Sequence, residues 1–375
     1  MKIYIAVFGS GLGHASRMLK MAEELKGVEV RFSSTSKEAS SYIRRKGYIC
    51  YDIPLIDVSW REGGVYYRRS LVRAPKLILT FLLQIKKEIH IMKRFKPNLV
   101  LSDSRLSAII ASKLLSIPCF LVTNQIKVVL PSKRRIVKIL EKIEGGILAF
   151  FWSLSDKILI PDLPYPFTIA EDSLPFLKNL KYIGFFPSKE NELVLSNLRE
   201  EFKGKPLIFA QISGPTLSKV GLVKILINLA LKLNKKYNFV ISLGDPNGSS
   251  EVKKIGGLWI YSWCPYVEEF FEISDLLIIR GGHSSISKAL WYGKPMICIP
   301  IRMHGEQISN SKKVEKLGLG ICIEPKNLNE TILISSIEEI LENNSYRERC
   351  KRIKEIARRR NAVDFLLEEI LKNKN

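Results

Sequence analysis

The chain of 375 residues is 46% apolar and has a formal net charge of +22. This length exceeds the usual size of one domain, and the apolar content suffices for two cores, so we expect two domains and exclude a disordered chain. No apolar run approaches the roughly 20 residues that a membrane-spanning helix needs.

Strands and helices alternate through the first half of the chain. Short apolar runs predict the strands, and the segments between them have helical periodicity. Buried strands of this length, alternating with helices, are typical of a parallel sheet covered on both faces. In chain order we predict strand 2–8, helix 14–26, strand 28–33, helix 37–46, strand 98–102, helix 107–115 and strand 118–123.

The same alternation restarts in the second half, after a polar segment at about residues 184–204. We therefore predict an α/β protein with two Rossmann-like domains, 1–185 and 204–345, which face each other across a cleft and bind ligands at the carboxyl ends of their strands. The predicted elements are strand 206–212, helix 217–234, strands 239–243, 258–262 and 275–279, a helix that opens at residues 281–282, and strand 296–300.

The last segment, 346–375, is predicted to form one basic helix that packs on the body of the protein. A nucleic-acid-binding arm is the alternative. The N-terminal strand runs directly into a glycine loop and lacks the apolar segment of a signal peptide. The six cysteines have no C-x-x-C spacing, so we interpret them as reduced core residues. Both features indicate a cytoplasmic protein.

A glycine loop follows the first predicted strand. Gly9, Gly11 and Gly13 precede His14, which opens the first helix. The G-x-G-x-G spacing differs from the dinucleotide G-x-G-x-x-G, and no carboxylate ends the second strand, so dinucleotide binding is not favoured. The glycines either let a ligand approach the backbone or only form a tight turn. His14 either faces the cleft or is hydrogen-bonded locally.

Asp103 follows strand 98–102 and so lies at a carboxyl end. If this strand neighbours the first one, Asp103 and His14 meet. A carboxylate that binds one ring nitrogen of a histidine fixes its tautomer and raises its basicity, which would prepare the ring to deprotonate an acceptor hydroxyl. Alone, a residue such as Asp103 would more often be a helix N-cap, here for the helix from Leu106 onward.

Residues 275–320 contain the strongest functional signal. A strand runs into the glycine pair 281–282, which opens a helix with small polar residues in its first turn. The amides and positive dipole end of such a helix bind phosphates. After the next strand, the loop at 304–307 holds His, Glu and Gln, which can hydrogen-bond sugar hydroxyls. Together these features indicate a nucleotide-sugar site.

Trp263 follows strand 258–262 and precedes Cys264 and a proline, a position from which it could stack on a nucleobase. Core packing is the alternative, for which Trp259 is the better candidate. The sequence has no D-x-D motif and no metal-ligand spacing of His and Cys. A transferase would then stabilise its leaving diphosphate with dipoles and hydrogen-bond donors, without a metal or another cofactor.

The ordered set of motifs resembles the GT-B glycosyltransferases of the group that contains MurG and the UDP-glycosyltransferases, over nearly the whole chain. The loop with His14 resembles the N-terminal loop of both groups, and residues 97–121 resemble the segment with the catalytic aspartate of the latter. WCPY at 263–266 is similar to the W-x-P-Q base-binding motif. RGGHSSISKAL at 280–290 resembles the phosphate-binding segment, and HGEQISN at 304–310 matches the [DEH]-Q-x-x-N element that holds the sugar.

The resemblance implies a GT-B fold and inversion of the anomeric centre by direct displacement. It implies that His14 is the general base and Asp103 its orienting partner. Trp263 would stack on the base, residues 282–285 would hold the diphosphate, and residues 306–307 would bind the sugar. The implied donor-binding residues are Gly11, Gly13, Ser213, Gly214, Trp263, Arg280, Gly281, Gly282, His283, Ser284, Ser285, Lys288, His304, Glu306, Gln307 and Asn310.

Two positions depart from the family pattern. The acid that binds the ribose hydroxyls falls on Lys288, which cannot accept hydrogen bonds, so a neighbouring acid would have to replace it. The glutamine of the base motif falls on Tyr266. We expect UDP-GlcNAc or UDP-glucose as donor, and these two positions leave the base and the sugar open.

Basic charge beside apolar residues marks the first half of the chain. Residues 61–96 carry ten basic and two acidic side chains around the apolar run 77–85, and residues 132–154 place Lys133, Arg134 and Arg135 beside isoleucines and phenylalanines. This pattern is typical of docking at an anionic membrane surface. Two ordinary amphipathic helices that cover the sheet are the alternative. Because MurG-like enzymes take polyprenyl-linked acceptors, the resemblance implies a lipid-linked or lipid acceptor and a peripheral location on the inner face of the membrane.

The leading hypothesis is therefore an inverting, metal-independent glycosyltransferase. A UDP-GlcNAc 2-epimerase-like enzyme on the same fold is an alternative, but it requires several acids in the cleft and the sequence offers few. A basic nucleic-acid-binding protein is the third, and no RNA-binding aromatic motif or helix-turn-helix pattern favours it.

Overall fold

The computed structural model describes residues 1–9, 12–56, 60–61, 64–65, 74–132, 134–174, 177, 180–187, 189–215 and 218–372. Gly11, Lys133 and, within the basic stretch 61–96, residues 62–63 and 66–73 lie outside these residues. The described residues form two compact units. The first comprises those of Met1–Trp60, Val65–Phe186 and Arg360–Asn375, and the second comprises those of Arg61–Gly64 and Pro187–Arg359.

The first unit alternates strands and helices, as predicted. Its elements are β1 Lys2–Val7, α1 Gly13–Glu24, β2 Glu29–Ser34, α2 Lys37–Arg45, β3 Ile49–Asp52, α3 Ala74–Phe95, β6 Leu99–Asp103, α4 Leu106–Leu114, β7 Cys119–Val122, α5 Arg135–Trp152, β8 Lys157–Ile160, a 3-10 helix Glu171–Ser173 and β9 Lys181–Tyr182. Two short strands of the chain, β4 Trp60–Arg61 and β5 Gly64–Val65, form a separate two-stranded sheet. The main sheet has the order β3-β2-β1-β6-β7-β8-β9, and its strand pairs are parallel.

The second unit repeats this architecture. Its elements are α6 Glu192–Glu201, β10 Leu207–Gln211, α7 Val220–Leu233, β11 Asn238–Ser242, β12 Val252–Ile255, β13 Leu258–Tyr261, α8 Val267–Ile273, β14 Leu276–Ile279, α9 His283–Tyr292, β15 Met296–Cys298, α10 Gly305–Lys316, β16 Gly320–Cys322, α11 Glu330–Glu342 and α12 Asn344–Arg358. The sheet has the order β12-β13-β11-β10-β14-β15-β16, and only the edge pair β12–β13 is antiparallel among its described strands.

Apolar side chains cover both faces of the first sheet. On one face α1 and α2 pack over Ile3, Ile5 and Phe32. On the other face α3, α4 and α5 pack over Tyr4 and Val100. Continuous burial of the strands on two faces explains why they read as apolar runs rather than as an alternating pattern.

The prediction of a single basic helix over 346–375 is wrong. α12 ends at Arg358, and a separate helix, α13 Ala362–Lys372, follows. The side chain of Asn361 accepts a hydrogen bond from the Val363 amide at 2.9 Å, and the Ala362 amide donates to the Phe185 carbonyl at 3.1 Å. These bonds satisfy the start of a new helix, which buries its apolar face in the core of the first unit.

None of the helices in the described ranges is both long and apolar enough to cross a bilayer.

Candidate functional site

His14 and Asp103 meet at the carboxyl edge of the first sheet, as the sequence predicted they would if their strands were neighbours. β1 and β6 pair in parallel, with Val7 opposite Asp103. α1 begins at Gly13, directly after the glycine loop, and places the Nδ1 atom of His14 2.7 Å from Oδ1 of Asp103. The Asp103 side chain is fully buried, whereas 21% of the His14 side chain is exposed.

Arg17 joins this pair, and the sequence analysis missed it. Its Nε atom donates to Oδ2 of Asp103 at 2.6 Å, and its second guanidinium nitrogen donates to Oδ1. Nη1 donates to the Oδ1 atom of Asn124 at 3.3 Å, from the end of β7. Arg17 lies three residues after His14 on α1, and residues at this spacing share one face of a helix. That spacing is the signal that could have found it.

The charges around Asp103 keep it ionised. Burial by itself would raise the pKa of this carboxyl group, but the charge of Arg17, then that of His14, and their hydrogen bonds hold the pKa below its usual value. An ionised carboxylate can only accept hydrogen bonds, so the proton between Nδ1 and Oδ1 belongs to the ring. The lone pair of His14 therefore lies on Nε2, the nitrogen that would act as a base.

The carboxyl ends of three neighbouring strands form the candidate donor site of the second unit. β14 pairs in parallel with β10 on one side and with β15 on the other. The loop with Ser213 and Gly214 follows β10, residues 280–282 follow β14, and the loop before α10 follows β15. Sequence motifs separated by up to ninety residues thus lie at one edge of one sheet.

Gly281 and Gly282 form the tight start of α9. Gly281 has a φ of +74°, and a Cβ atom there would lie 2.2 Å from the Ser311 Oγ atom, so only glycine fits. Gly282 is the N-cap residue, with φ −67°, and no atom lies within 4 Å of where its Cβ would be. The first amides of α9 follow it, and such amides have no partner in a preceding turn.

The predicted donor residues around this helix start differ in exposure. Ser284 is exposed and Ser285 partly so, and Ser285 Oγ donates to Gln211 at 3.4 Å. The side chains of His283 and Arg280 are buried. Arg280 donates to the Ser218 carbonyl at 3.1 Å, and burial lowers its pKa to about 10. It joins the loops after β10 and β14.

The first turns of α10 pack against the glycine turn at 281–282 and support it. Asn310 is fully buried and donates to the Gly281 carbonyl at 3.4 Å, so its side chain braces the turn. Gln307 is also buried, and its Oε1 atom accepts a hydrogen bond from the Ile301 amide at 2.9 Å. His304 caps α10, and burial lowers its pKa. Glu306, in the first turn, is partly exposed.

Lys288 pairs with an acid that the sequence analysis did not name. Its ammonium group lies 2.8 Å from Oε1 of Glu268, and Tyr292 donates to the other carboxylate oxygen at 3.5 Å. Glu268 stands in the first turn of α8, shortly after Trp263. Trp263 is partly exposed, whereas Trp259 packs in the core with its ring 4.7 Å from that of Phe202.

Comparison with known proteins identifies the class. A glycosyltransferase family 28 C-terminal domain matches residues 217–365. An uncharacterised glycosyltransferase of Methanosarcina mazei is 31% identical over 370 residues, covering 95% of this chain and 94% of its own. The UDP-N-acetylglucosamine--N-acetylmuramyl-(pentapeptide) pyrophosphoryl-undecaprenol N-acetylglucosamine transferase of Clostridium novyi is 26% identical over 98% of this chain and 97% of its own.

A solved structure supports the fold. The spinosyn rhamnosyltransferase SpnG, complexed with thymidine diphosphate, has a TM-score of 0.72 at 14% identity and covers 99% of this chain and 100% of its own. Together with the relatives, it confirms the predicted α/β GT-B fold. The chain belongs to the GT-B glycosyltransferases, in the group that contains MurG and the UDP-glycosyltransferases.

Proposed function

We propose that the protein is an inverting, metal-independent glycosyltransferase that uses a nucleoside diphosphate sugar. The observation that carries the proposal is the hydrogen bond between the buried Asp103 and the partly exposed His14 at the carboxyl edge of β1 and β6. This pair is a general base for an acceptor hydroxyl. Because the protein belongs to a glycosyltransferase group, we assign sugar transfer as the reaction in which this base acts.

In the proposed reaction, Nε2 of His14 takes the proton of the acceptor hydroxyl as its oxygen attacks the anomeric carbon. The bond from that carbon to the diphosphate breaks, and its electron pair leaves with the diphosphate. The amides at the start of α9 and the positive end of its dipole stabilise the departing charge. Attack opposite the leaving group inverts the anomeric centre.

A nucleotide-sugar screen tests this proposal. A cognate donor should raise the midpoint of thermal unfolding, because a ligand that binds only the folded state stabilises it. UDP-GlcNAc and UDP-glucose are the first donors to screen, in buffers with and without EDTA. Stabilisation that disappears with EDTA would contradict the metal-independent part of the proposal. In a separate product assay, an epimerised sugar formed from the donor without any acceptor would indicate an epimerase instead.

We propose that Glu268 binds the ribose hydroxyls of the donor in place of the acid that the family pattern puts at Lys288. The two side chains are hydrogen-bonded, and 23% of the Glu268 side chain is exposed. A carboxylate accepts hydrogen bonds from two hydroxyls, and Lys288 holds it in place.

Glu268→Gln should weaken UDP binding by about tenfold, the effect of losing one charge-assisted hydrogen bond. Calorimetry with UDP and with 2′-deoxy-UDP separates this role from a general one. The wild type should prefer UDP, and the variant should lose the preference. Glu251→Gln, at an exposed acid of the same unit, is the control. A variant that keeps the full preference for UDP would rule out the ribose contact.

We propose a lipid-linked acceptor taken from an anionic membrane surface. α3 and α5 flank α4 on one face of the first sheet. Their outer sides expose apolar residues beside lysines and arginines, whereas Trp152, at the end of α5, is buried. The exposed apolar residues are Ile78, Leu79, Leu82, Leu83, Ile136, Ile139, Leu140, Ile143, Ile147 and Phe150. The undecaprenol-linked substrate named for the Clostridium novyi relative supports this acceptor class.

The pair of substitutions Ile139→Ser and Ile143→Ser should reduce binding to vesicles that contain anionic lipid by at least tenfold, because the protein would lose two exposed apolar side chains that insert into the acyl region. Binding should also fall as salt rises. Leu371→Ser, at an exposed leucine of α13, is the control. Co-sedimentation of wild type and variants measures the effect. Equal binding by all three proteins would contradict the docking surface.

A further inference from the structure

Arg17 occupies both oxygens of the carboxylate that orients the candidate base. Nε reaches Oδ2 of Asp103 at 2.6 Å, and the second nitrogen reaches Oδ1, the oxygen that also binds His14. This is the two-pronged geometry that a planar guanidinium makes with a carboxylate and that a lysine cannot reproduce. Only 7% of Arg17 is exposed, so it acts through Asp103 rather than on a substrate.

The contacts of Arg17 influence whether the proton shared by His14 and Asp103 is carried by the Nδ1 atom of the ring or by the carboxyl group. The Nδ1 atom of His14 has two polar neighbours, the Asp103 oxygen at 2.7 Å and a guanidinium nitrogen of Arg17 at 3.1 Å. The guanidinium has donors only, and an ionised carboxylate has acceptors only. The shorter contact requires a proton on Nδ1 as long as Asp103 stays ionised. A protonated Asp103 could instead donate to Nδ1 and would leave the proton of the neutral ring on Nε2.

We propose that Arg17 is a positioning residue that sets the tautomer of His14 by keeping Asp103 ionised, an inference that rests on the proposed function only for the catalytic consequence. Asp103 is completely buried, and the charge of Arg17 is the largest influence that opposes the effect of burial. Without that charge, the buried carboxyl group takes up a proton more readily. The tautomer with a bare Nε2 is then no longer enforced.

Asn124, in the loop that follows β7, helps to hold the guanidinium group in this orientation. Its Oδ1 atom accepts from Nη1 of Arg17 at 3.3 Å, and Asn124 is itself buried. The carboxyl ends of β1, β6 and β7 therefore all contribute to the proton position on one ring.

Nitrogen-15 NMR of the imidazole rings tests the inference without any substrate. The chain has four histidines, so the His14 signals can be assigned by their loss in His14→Gln. We expect neutral His14 in the wild type to carry its proton on Nδ1. In Arg17→Met the ring should shift measurably toward the tautomer protonated on Nε2. Arg17→Lys, which restores charge without the two-pronged geometry, should lie between them and protects the test if the methionine variant does not fold.

Kinetics adds the catalytic readout. Arg17→Met should lower kcat by about a hundredfold, as expected when a general base is misdirected, and should leave the KM for the donor near the wild-type value. Arg44→Met, which removes an exposed arginine paired with Asp52, is the matched control for loss of one arginine.

The NMR and kinetic measurements distinguish failure of this inference from failure of the proposed function. Unchanged His14 tautomers in both Arg17 variants would overturn the inference, whatever the activity. A changed tautomer in a protein whose wild type transfers no sugar would support the role of Arg17 and contradict the proposed function instead.

Discussion

Replacement of His14 by alanine should abolish sugar transfer and leave donor binding close to the wild-type value. Loss of a positioned general base lowers kcat by about 10²–10⁴-fold. Donor affinity should persist, because the proposed diphosphate and ribose contacts, at the start of α9 and at Glu268, come from the second unit, whereas His14 belongs to the first. Initial rates with a saturating donor measure the first effect, and calorimetric titration of the donor measures the second.

His90 offers a matched control, since it is an exposed histidine on α3 of the same unit. His90→Ala should retain wild-type rates. If His14→Ala transferred sugar at the wild-type rate, another group would have to be the base. If it lost donor binding in the same proportion as the rate, His14 would bind the donor and would not be a base for the acceptor.

Replacement of Gly281 by alanine should both destabilise the second unit and remove donor binding. The φ of +74° costs an alanine about 1–2 kcal/mol. Its Cβ would also lie 2.2 Å from Ser311 Oγ and 2.8 Å from the Gln307 carbonyl oxygen, so the turn must move away from α10. The amides at the start of α9 would move with it. Urea denaturation measures the loss of stability, and calorimetry measures donor affinity.

Gly282 separates these two effects. Because its φ is −67° and its Cβ would meet no atom within 4 Å, Gly282→Ala should change the free energy of unfolding by less than about 1 kcal/mol. The added methyl group would still stand where the diphosphate approaches the backbone, so donor affinity should fall. A Gly282→Ala protein with unchanged donor affinity would contradict the proposed diphosphate site at this turn.

The sequence predicted the central strands of both sheets, but it missed strands toward the edges, among them β3, β8, β9, β12 and β16, and it did not predict which strands pair. Buried parallel strands are apolar on both faces, so β1, β6, β10 and β14 are visible in the sequence as short apolar runs. Which strands pair is decided by long-range packing. The pairing of β1 with β6, across about ninety residues, had to be assumed for His14 and Asp103 to meet, and the sequence did not predict it.

The candidate site was predictable where one motif supplied the geometry. A glycine pair between a strand and a helix gives a tight turn that opens the helix by local rules alone. The partners that come from elsewhere in the chain were not predictable in this way. Arg17 is visible as a helical neighbour of His14, but its contact with Asp103 depends on how α1 lies against the sheet. The pairing of Glu268 with Lys288 depends on two helices that meet only in the folded unit.

The first unit is a discontinuous domain, because the chain returns to it at Arg360 after forming the second unit. α13 supplies Ala362, Val363, Leu366 and Ile370 to the core that α1 and α2 cover, although nearly the whole second unit separates them in the sequence. During synthesis, the apolar surface that α13 covers therefore stays exposed on the amino-terminal part until α13 has left the ribosome. A fragment cut at residue 186 would keep that groove uncovered, so expressing this half alone requires grafting residues 360–372 onto it.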